Sequence, residues 1–567
     1  MPSAPQQVLS FEAPGPGSWT LDTAHFPQPA TRFVIELFPE AAKRGFKEAT
    51  ARYGLLLDYI EWAFVHGWAY LCPRPIWSSE DEQQRLTRDS WDKLVRASPV
   101  VGGRLASSSK VFEDRRWRED VALWDEQVKP DMRRRHLSLQ SVNPRGLEAV
   151  ELLSHLERCR ENLRRAIDHH HRLNVAPVIP VGDFLLHAQE WTGRPTTELV
   201  RLVRAAGPVK GVAAGELERL VEAVRDDPAA AGLLSADEAP GAVLASLLSW
   251  PGQVGRATAD YLGLVGHWNA GGGSDVSEPT LLELPHVLVA TIRSVMESRS
   301  AGLGRDTAAE HRADVRGAVP QRWREAFDGL LVEARTSHRV RDERAAYCDV
   351  WAYGLARRAI LAAGVRLAEA GAIEHPEHLV EANYLEMRGL LDTSSDLSGE
   401  ELAARARYRQ EAREDQVPIV LGDPPRSPVP AEWLPPGNAR TERAFRAYVQ
   451  AMSAEGEAPV EAAVGGLAAS PGIHEGRARV IRSPSELARI NKGDVLIAGS
   501  TAPAFTVVLP LVGAIVTDRG GLLSHAAIVA REYGIPAVVG TGDATRKIPD
   551  GALVRVDGAA GEVRVLD

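Results

Sequence analysis

The sequence predicts a multidomain chain: a large, mostly α-helical domain followed by a small C-terminal α/β domain. Three observations predict it. Apolar residues recur at three- and four-residue spacing from about Thr31 to Glu411, the period of amphipathic helices. Val417 to Gly437 is dense in proline and carries little helical pattern. From Gly465 onward, short β-branched runs alternate with glycine and proline turns.

In chain order, residues 1–30 are rich in Pro and Gly and read as an extended lead-in. The helical region follows, with patterned stretches such as Leu147–Glu157 and Trp351–Leu361. Its breaks are expected at Pro177–Gly182, at Gly271-Gly272-Gly273 and at His375-Pro376. The proline-dense stretch reads as a stiff, extended spacer. A short helix is expected at about Glu442–Ser453, then a softer linker at Ala454–Val464. The C-terminal module should hold strands at Gly476–Ile481, Asp494–Ile497, Gly513–Val516, Ala537–Gly540 and Leu553–Asp557. Helices fit between them at Pro484–Arg489 and Ser524–Tyr533. The domain reading is therefore 1–412, 413–464 and 465–567.

At 567 residues the chain exceeds one domain. A formal net charge of -10 and the lack of basic runs interleaved with aromatics argue against a nucleic-acid partner. Arg133-Arg134-Arg135 lies among acidic residues and reads as a solvated face. Cys72, Cys159 and Cys348 are too scattered for a disulfide framework or a zinc site. Without a signal-like N-terminus or a bilayer-length apolar run, the expectation is a cytoplasmic protein with no membrane partner.

The chemistry concentrates at Thr517-Asp518-Arg519-Gly520-Gly521-Leu522-Leu523-Ser524-His525. An apolar strand feeds a glycine turn, and His525 opens an amphipathic helix. Helix starts present free N–H groups and favour negative charge. Ser524 suits the N-cap position. A neutral imidazole is a competent nucleophile near pH 7. The combination points to a phosphohistidine; the plainer alternative is a histidine beside a cap.

The whole of residues 465–567 resembles the mobile phosphohistidine domain of phosphoenolpyruvate-utilising enzymes. Ala469-Ser470-Pro471-Gly472, Gly493-Asp494-Val495-Leu496, Thr501-Ala502-Pro503, Ser524-His525-Ala526-Ala527 and Gly534-Ile535-Pro536-Ala537 carry the likeness in order. The resemblance implies a small swivelling domain with His525 as phosphoryl carrier. Gly520 and Gly521 would let the backbone approach the phosphate. Thr501, Thr517 and Ser524 would donate to its oxygens, and Arg519 would pair with them. Surface or turn-forming roles for Arg519, Thr501 and Thr517 stay open.

Further blocks resemble the helical domain of rifampin phosphotransferases. They are Trp19 to Pro29, Gly266-His267 with Asp275 to Pro279, Val340 to Arg344 with Arg357-Arg358, and Glu377-His378-Leu379-Val380. An ATP-grasp domain and a glycine-rich phosphate loop followed by Lys are both missing from the sequence. That split is similar to the phosphohistidine subunit of phenylphosphate synthase and of related 4-alkylphenol phosphorylating systems. It implies ATP and Mg2+ bound mainly by a separate ATP-grasp-like subunit. It implies a small phenolic acceptor, and aryl phosphate, AMP and phosphate as products. A rifamycin-like antibiotic acceptor and a non-catalytic phosphohistidine carrier are the alternatives.

On the acceptor side, the same likeness singles out Arg341, Asp342, Glu343 and Arg344. Arg341 would hold the phosphoryl group, and an acidic neighbour would take the proton from a phenol. A salt-bridged helix face is the alternative. Asp22 and His25 are further substrate-binding candidates, or else brace the lead-in. His169-His170-His171 reads as a solvated face and not a metal site, since successive helical residues diverge; no metal is expected. Gly271-Gly272-Gly273 reads as a loop, and Trp62, Trp68 and Trp77 as core.

Overall fold

The computed structural model describes residues 9–77, 86–203, 212–235, 238–270, 274–300, 307–425, 427–453, 464–482, 484–501, 505, 508–509 and 511–566. The expected loop at 271–273 and the linker at 454–463 lie outside them. No helix among the described residues is long and apolar enough to cross a membrane.

The helical body begins with a sheet that the sequence reading missed. Strands β1 (Ser18–Leu21), β2 (Leu57–Val65), β3 (Trp68–Pro75) and β4 (Val420–Gly422) pair in the order β2-β3-β1-β4. The β2–β3 hairpin turns on His66-Gly67, both at positive φ (52° and 83°). Such a turn suits the twist of paired strands. Its first position carries His instead of the usual Asn or Asp, and Asp58 and Glu61, three residues apart in β2, leave no alternation to read. β1 lies in the expected lead-in and β4 in the expected spacer. Val417 and Leu421 join Trp19, Trp68 and Tyr70 in one buried cluster. Val429 and Leu434 are buried with Trp91. The proline-dense segment is therefore part of the body, packed by its few apolar residues.

The helices that position the site are α1 (Arg32–Tyr53), α2 (Ala149–Arg172), α3 (Val178–Thr192), α4 (Arg324–Arg344), α5 (Trp351–Glu369) and α6 (Pro436–Ser453). The break expected at Pro177–Gly182 is the start of α3. Pro180 lies in its first turn, where a missing N–H costs nothing. α6 is longer than the expected short helix and is held to α3 by Arg440, which reaches the buried Asp183 at 2.7 Å. Between α4 and α5 runs a π-helical segment, Ala345–Val350. Such bulges gather at functional sites because the extra residue redirects side chains. Three of the family-like blocks meet at Arg357, which is buried and binds Glu283, Glu377 and the Val276 and Ser277 carbonyls.

The C-terminal module holds one eight-stranded sheet. Its strands are β5 (Val464–Gly465), β6 (Leu467–Ser470), β7 (Ile473–Ile481), β8 (Val495–Ala498), β9 (Ala514–Thr517), β10 (Ala537–Val539), β11 (Leu553–Asp557) and β12 (Glu562–Val565). The order is β5-β12-β11-β7-β8-β9-β10-β6, and β7 to β10 run parallel. The end strands β5 and β6 are separated in sequence by Gly466 alone, so the sheet curls almost closed. Pro484–Arg489 is a single 3-10 element. The α/β reading holds for the module; the short strands β5, β6 and β12 were missed.

Candidate active site

His525 opens α7 (His525–Tyr533) directly after β9 and its glycine turn. Ser524 is extended (φ -66°, ψ 160°), and its Oγ accepts the Ala527 N–H at 3.4 Å, so it caps the helix. Gly520 has φ +109°, and a Cβ there would meet the Ser524 side chain at 2.8 Å. Asp518 locks the turn by accepting the Thr545 N–H at 3.0 Å. Thr501 Oγ1 lies 3.0 Å from His525 Nδ1. Arg519 lies beside Gly499, where a Cβ would stand 3.2 Å from its Nη2. Its Nη1 donates to both Glu414 oxygens at 2.6 Å, while Nε is buried without a hydrogen-bond partner among the described residues. Arg519 is thus no free phosphate clamp in this arrangement: part of it ties the module to the body. Thr517 is fully buried at the end of β9, and nothing described links its hydroxyl to the imidazole.

The turn also docks. Gly521 N–H donates to the Met452 carbonyl at 2.9 Å, and Leu523 N–H to the Ala451 carbonyl at 3.3 Å. Both carbonyls belong to the last turn of α6, which has no intrahelical donors of its own. A Cβ on Gly521 would stand 2.5 Å from each of those oxygens. This glycine was expected to cradle phosphate; here it permits close approach of body and module. Gly521→Ala should undock the module, since such overlap costs on the order of 1–3 kcal/mol. Small-angle scattering should then give a larger radius of gyration than for the unaltered protein, and an unchanged value would contradict this role for the contact.

Arg341 completes the dock by donating to the Leu523 carbonyl, two residues before His525. One turn further along α4, Arg344 is only 3% exposed. Its Nη2 donates to Asn174 Oδ1 at 3.1 Å. Nε and Nη1 are buried without hydrogen-bond partners among the described residues. Burial pulls its pKa down, against the opposing charge of Asp349. A buried guanidinium with two open donors is costly unless an anion meets it.

Around Arg344 lie titratable groups from three other elements. Asp349, on the π segment, is 2.8 Å from His170 Nδ1. Burial pushes the Asp349 carboxyl up to about 6, although the Arg344 charge opposes it. Burial and then the Arg344 charge hold His170 well below its ordinary value. His171 is buried beneath it, its Nδ1 2.8 Å from the Ile167 carbonyl and its ring against Trp62 and Phe38. Asp22, from the loop after β1, pairs with His25 at 2.8 Å and accepts from Trp62 Nε1 at 2.9 Å. Burial alone would raise the Asp22 carboxyl; the His25 charge and these hydrogen bonds bring it down to about 2.

The structure brings together Asp22, His25, Arg341 and Arg344 and adds His170, His171 and Asp349. The solvated-face reading of His169-His170-His171 is therefore wrong for the last two, because that face of α2 meets α1, β2 and the π segment. Glu343 turns away: its carboxylate accepts from Trp124 Nε1 at 2.9 Å, Lys129 at 2.7 Å and Arg339 at 3.2 Å. Asp342 is half-buried one helical step, about 100°, round from Arg341. The histidine run and Asp349 carried a weak signal, a polar triplet on an otherwise amphipathic helix. Trp62 is buried as expected, but its indole also serves Asp22.

Comparison with known proteins agrees with this anatomy. Residues 490–561 match the model of the PEP-utilising enzyme mobile domain. A phosphotransferase of Bacillus subtilis named YvkC, itself uncharacterized, is 31% identical over 310 residues, 53% of this chain and 35% of its own. Phosphoenolpyruvate synthase of Aeropyrum pernix is 38% identical over 206 residues, 33% of this chain and 24% of its own. Rifampicin phosphotransferase of Streptomyces sviceus is 29% identical over 393 residues, 67% of this chain and 42% of its own. The last match is longer than the module and so includes part of the body. The chain thus spans less than half the length of each of these relatives. Its C-terminal module is a PEP-utilising enzyme mobile domain, joined to a helical body that shares sequence with phosphotransferases.

Proposed function

We propose that His525 carries a phosphoryl group and delivers it to a hydroxyl acceptor bound beside Arg344. One observation carries the reading. The loop of the carrier histidine is docked, through Arg341, on the same helix end that presents a buried arginine with open donors. Phosphoryl transfer asks a protein mainly for positioning and charge stabilisation. Arg341 and Arg344 supply positive charge, and the docked module shields the transfer from water.

Thr501 sets the nucleophile. With the His525 Nδ1–H donating to its hydroxyl, the lone pair on Nε2 is left to attack phosphorus. The same hydrogen bond favours the protonated ring that later leaves. Thr501→Val should slow loading about tenfold, the worth of one such bond; phospho-protein formation over time measures it.

The finer reading is phenol or a 4-alkylphenol as acceptor. Loading would occur at a separate ATP-grasp-like subunit that brings ATP and Mg2+, with the module swivelling between the two sites. The similarity to phenylphosphate synthase supports it. A larger acceptor, such as a rifamycin, is favoured by the rifampicin phosphotransferase match, which covers 67% of this chain. The test needs no donor subunit. The protein is loaded with phosphoramidate and then given phenol, 4-cresol or a rifamycin, and products are followed by phosphorus NMR. Aryl phosphate supports the phenol reading, and a phosphorylated rifamycin the second. A phospho-protein inert to all three acceptors leaves a carrier without transferase activity.

A further inference from the structure

One imidazole near Arg344, that of His25, has a fully engaged carboxylate partner and a side chain still open to solvent. Asp22 Oδ1 accepts the His25 backbone N–H at 3.1 Å. Asp22 Oδ2 faces His25 Nδ1 at 2.8 Å and accepts from Trp62 Nε1 at 2.9 Å. The His25 carbonyl is pinned by the Ser274 N–H at 2.7 Å. This geometry keeps the proton on Nδ1 and leaves the Nε2 lone pair facing away from Asp22. The His25 side chain remains 41% accessible, although burial is the largest cost on its charged form. A ligand can therefore reach this ring from solvent, while Asp22 holds its other edge.

The other bases are less suited. His170 faces Asp349, and burial disfavours its protonation. His171 is buried, with Nδ1 against a carbonyl. Glu343 is occupied by three donors.

We infer that His25 is the general base that takes the acceptor's hydroxyl proton, and that Asp22 is the positioning residue that fixes its tautomer. The inference rests on the phosphotransfer reading above. As the acceptor oxygen bonds to phosphorus, the P–N bond to His525 Nε2 breaks and its electron pair returns to the ring. The hydroxyl proton passes to His25 Nε2 and then to water.

The groups facing His25 set the pH response. They are Asp22 from its own loop, His170 and His171 from α2, Arg344 from α4 and Asp349 from the π segment. Burial and Arg344 disfavour the imidazolium; Asp22 and Asp349 outweigh them and raise the pKa above 6.5. The base form is thus lost as pH falls through a value above the ordinary one.

The test is single-turnover transfer from the phosphoramidate-loaded full chain to phenol, and in parallel to a rifamycin, from about pH 5 to 9. The unaltered protein should speed up with pH through an inflection above 6.5. Asp22→Asn should move that inflection downward and slow the plateau. His25→Gln should abolish the inflection and slow transfer about 100-fold or more. Loading of His525 by phosphoramidate should persist in both variants, which separates catalysis from folding. His25→Gln transferring at the unaltered rate with the same profile overturns the assignment alone. If the unaltered protein transfers to neither acceptor, the underlying reading falls and this assignment with it.

Discussion

His525→Ala yields a protein that keeps its fold and carries no acid-labile phosphoryl group under any loading regime. The loss at the turn should be complete, because no second imidazole lies within it; Ser524 and Asp518 offer only oxygen nucleophiles. Thr501, the residue hydrogen-bonded to the imidazole, bears a hydroxyl that forms an ester stable to acid. Phosphorus NMR on protein treated with phosphoramidate distinguishes the two linkages. Asn at this position should behave identically and still begin α7, since Ser524 provides the cap. A phosphoramidate signal surviving in either variant, in the range of a ring nitrogen bound to phosphorus, would sink the carrier assignment.

Arg344→Met should cost activity far more than stability. Methionine fills a similar volume without charge. The native guanidinium is 3% exposed and leaves Nε and Nη1 without partners among the described residues. Removing the desolvated guanidinium and its two open donors is favourable, while Asn174 loses a donor and Asp349 loses an opposing charge and takes up a proton more readily, so the two effects, each about 1–3 kcal/mol, should largely offset. The melting temperature in the absence of acceptor should change little. Transfer should fall about 100- to 1,000-fold, the usual loss when one preorganised donor is removed from a developing anion. Loading should be unaffected, because Arg344 does not touch the module's turn. A variant that is both less stable and fully active would show that Arg344 is only a packing residue.

The module was legible because local signals agreed there. β-branched runs, glycine turns and an N-cap serine before an amphipathic helix all pointed to one strand–turn–helix unit around His525. The proposed acceptor site was only half legible. Arg341, Arg344, Asp22 and His25 stood out by likeness, but their roles depend on partners hundreds of residues away. Asp349 and His170 became visible only where the π segment rotates one against the other. Glu343 misled because adjacent residues on α4 point in different directions, and its neighbours from the Trp124 region cannot be inferred from spacing. The four-stranded sheet was missed because its longest strand, β2, places Asp58 and Glu61 three residues apart and so shows no alternation to read.

The docked turn caps the last carbonyls of α6, the helix that ends at Ser453, just before the residues leading to the module. Capping and tethering are thereby joined in one place. If the module leaves its dock, as the proposed transfer requires, the end of α6 loses two hydrogen bonds and gains the freedom to unravel. A helical residue advances the chain by roughly 1.5 Å and an extended one by roughly 3.3 Å. One melted turn of about four residues would therefore lengthen the tether by about 7 Å. Under the proposed transfer, the reach of His525 would thus not be fixed by the number of residues between the two units: undocking would release extra rope, and docking would wind it back.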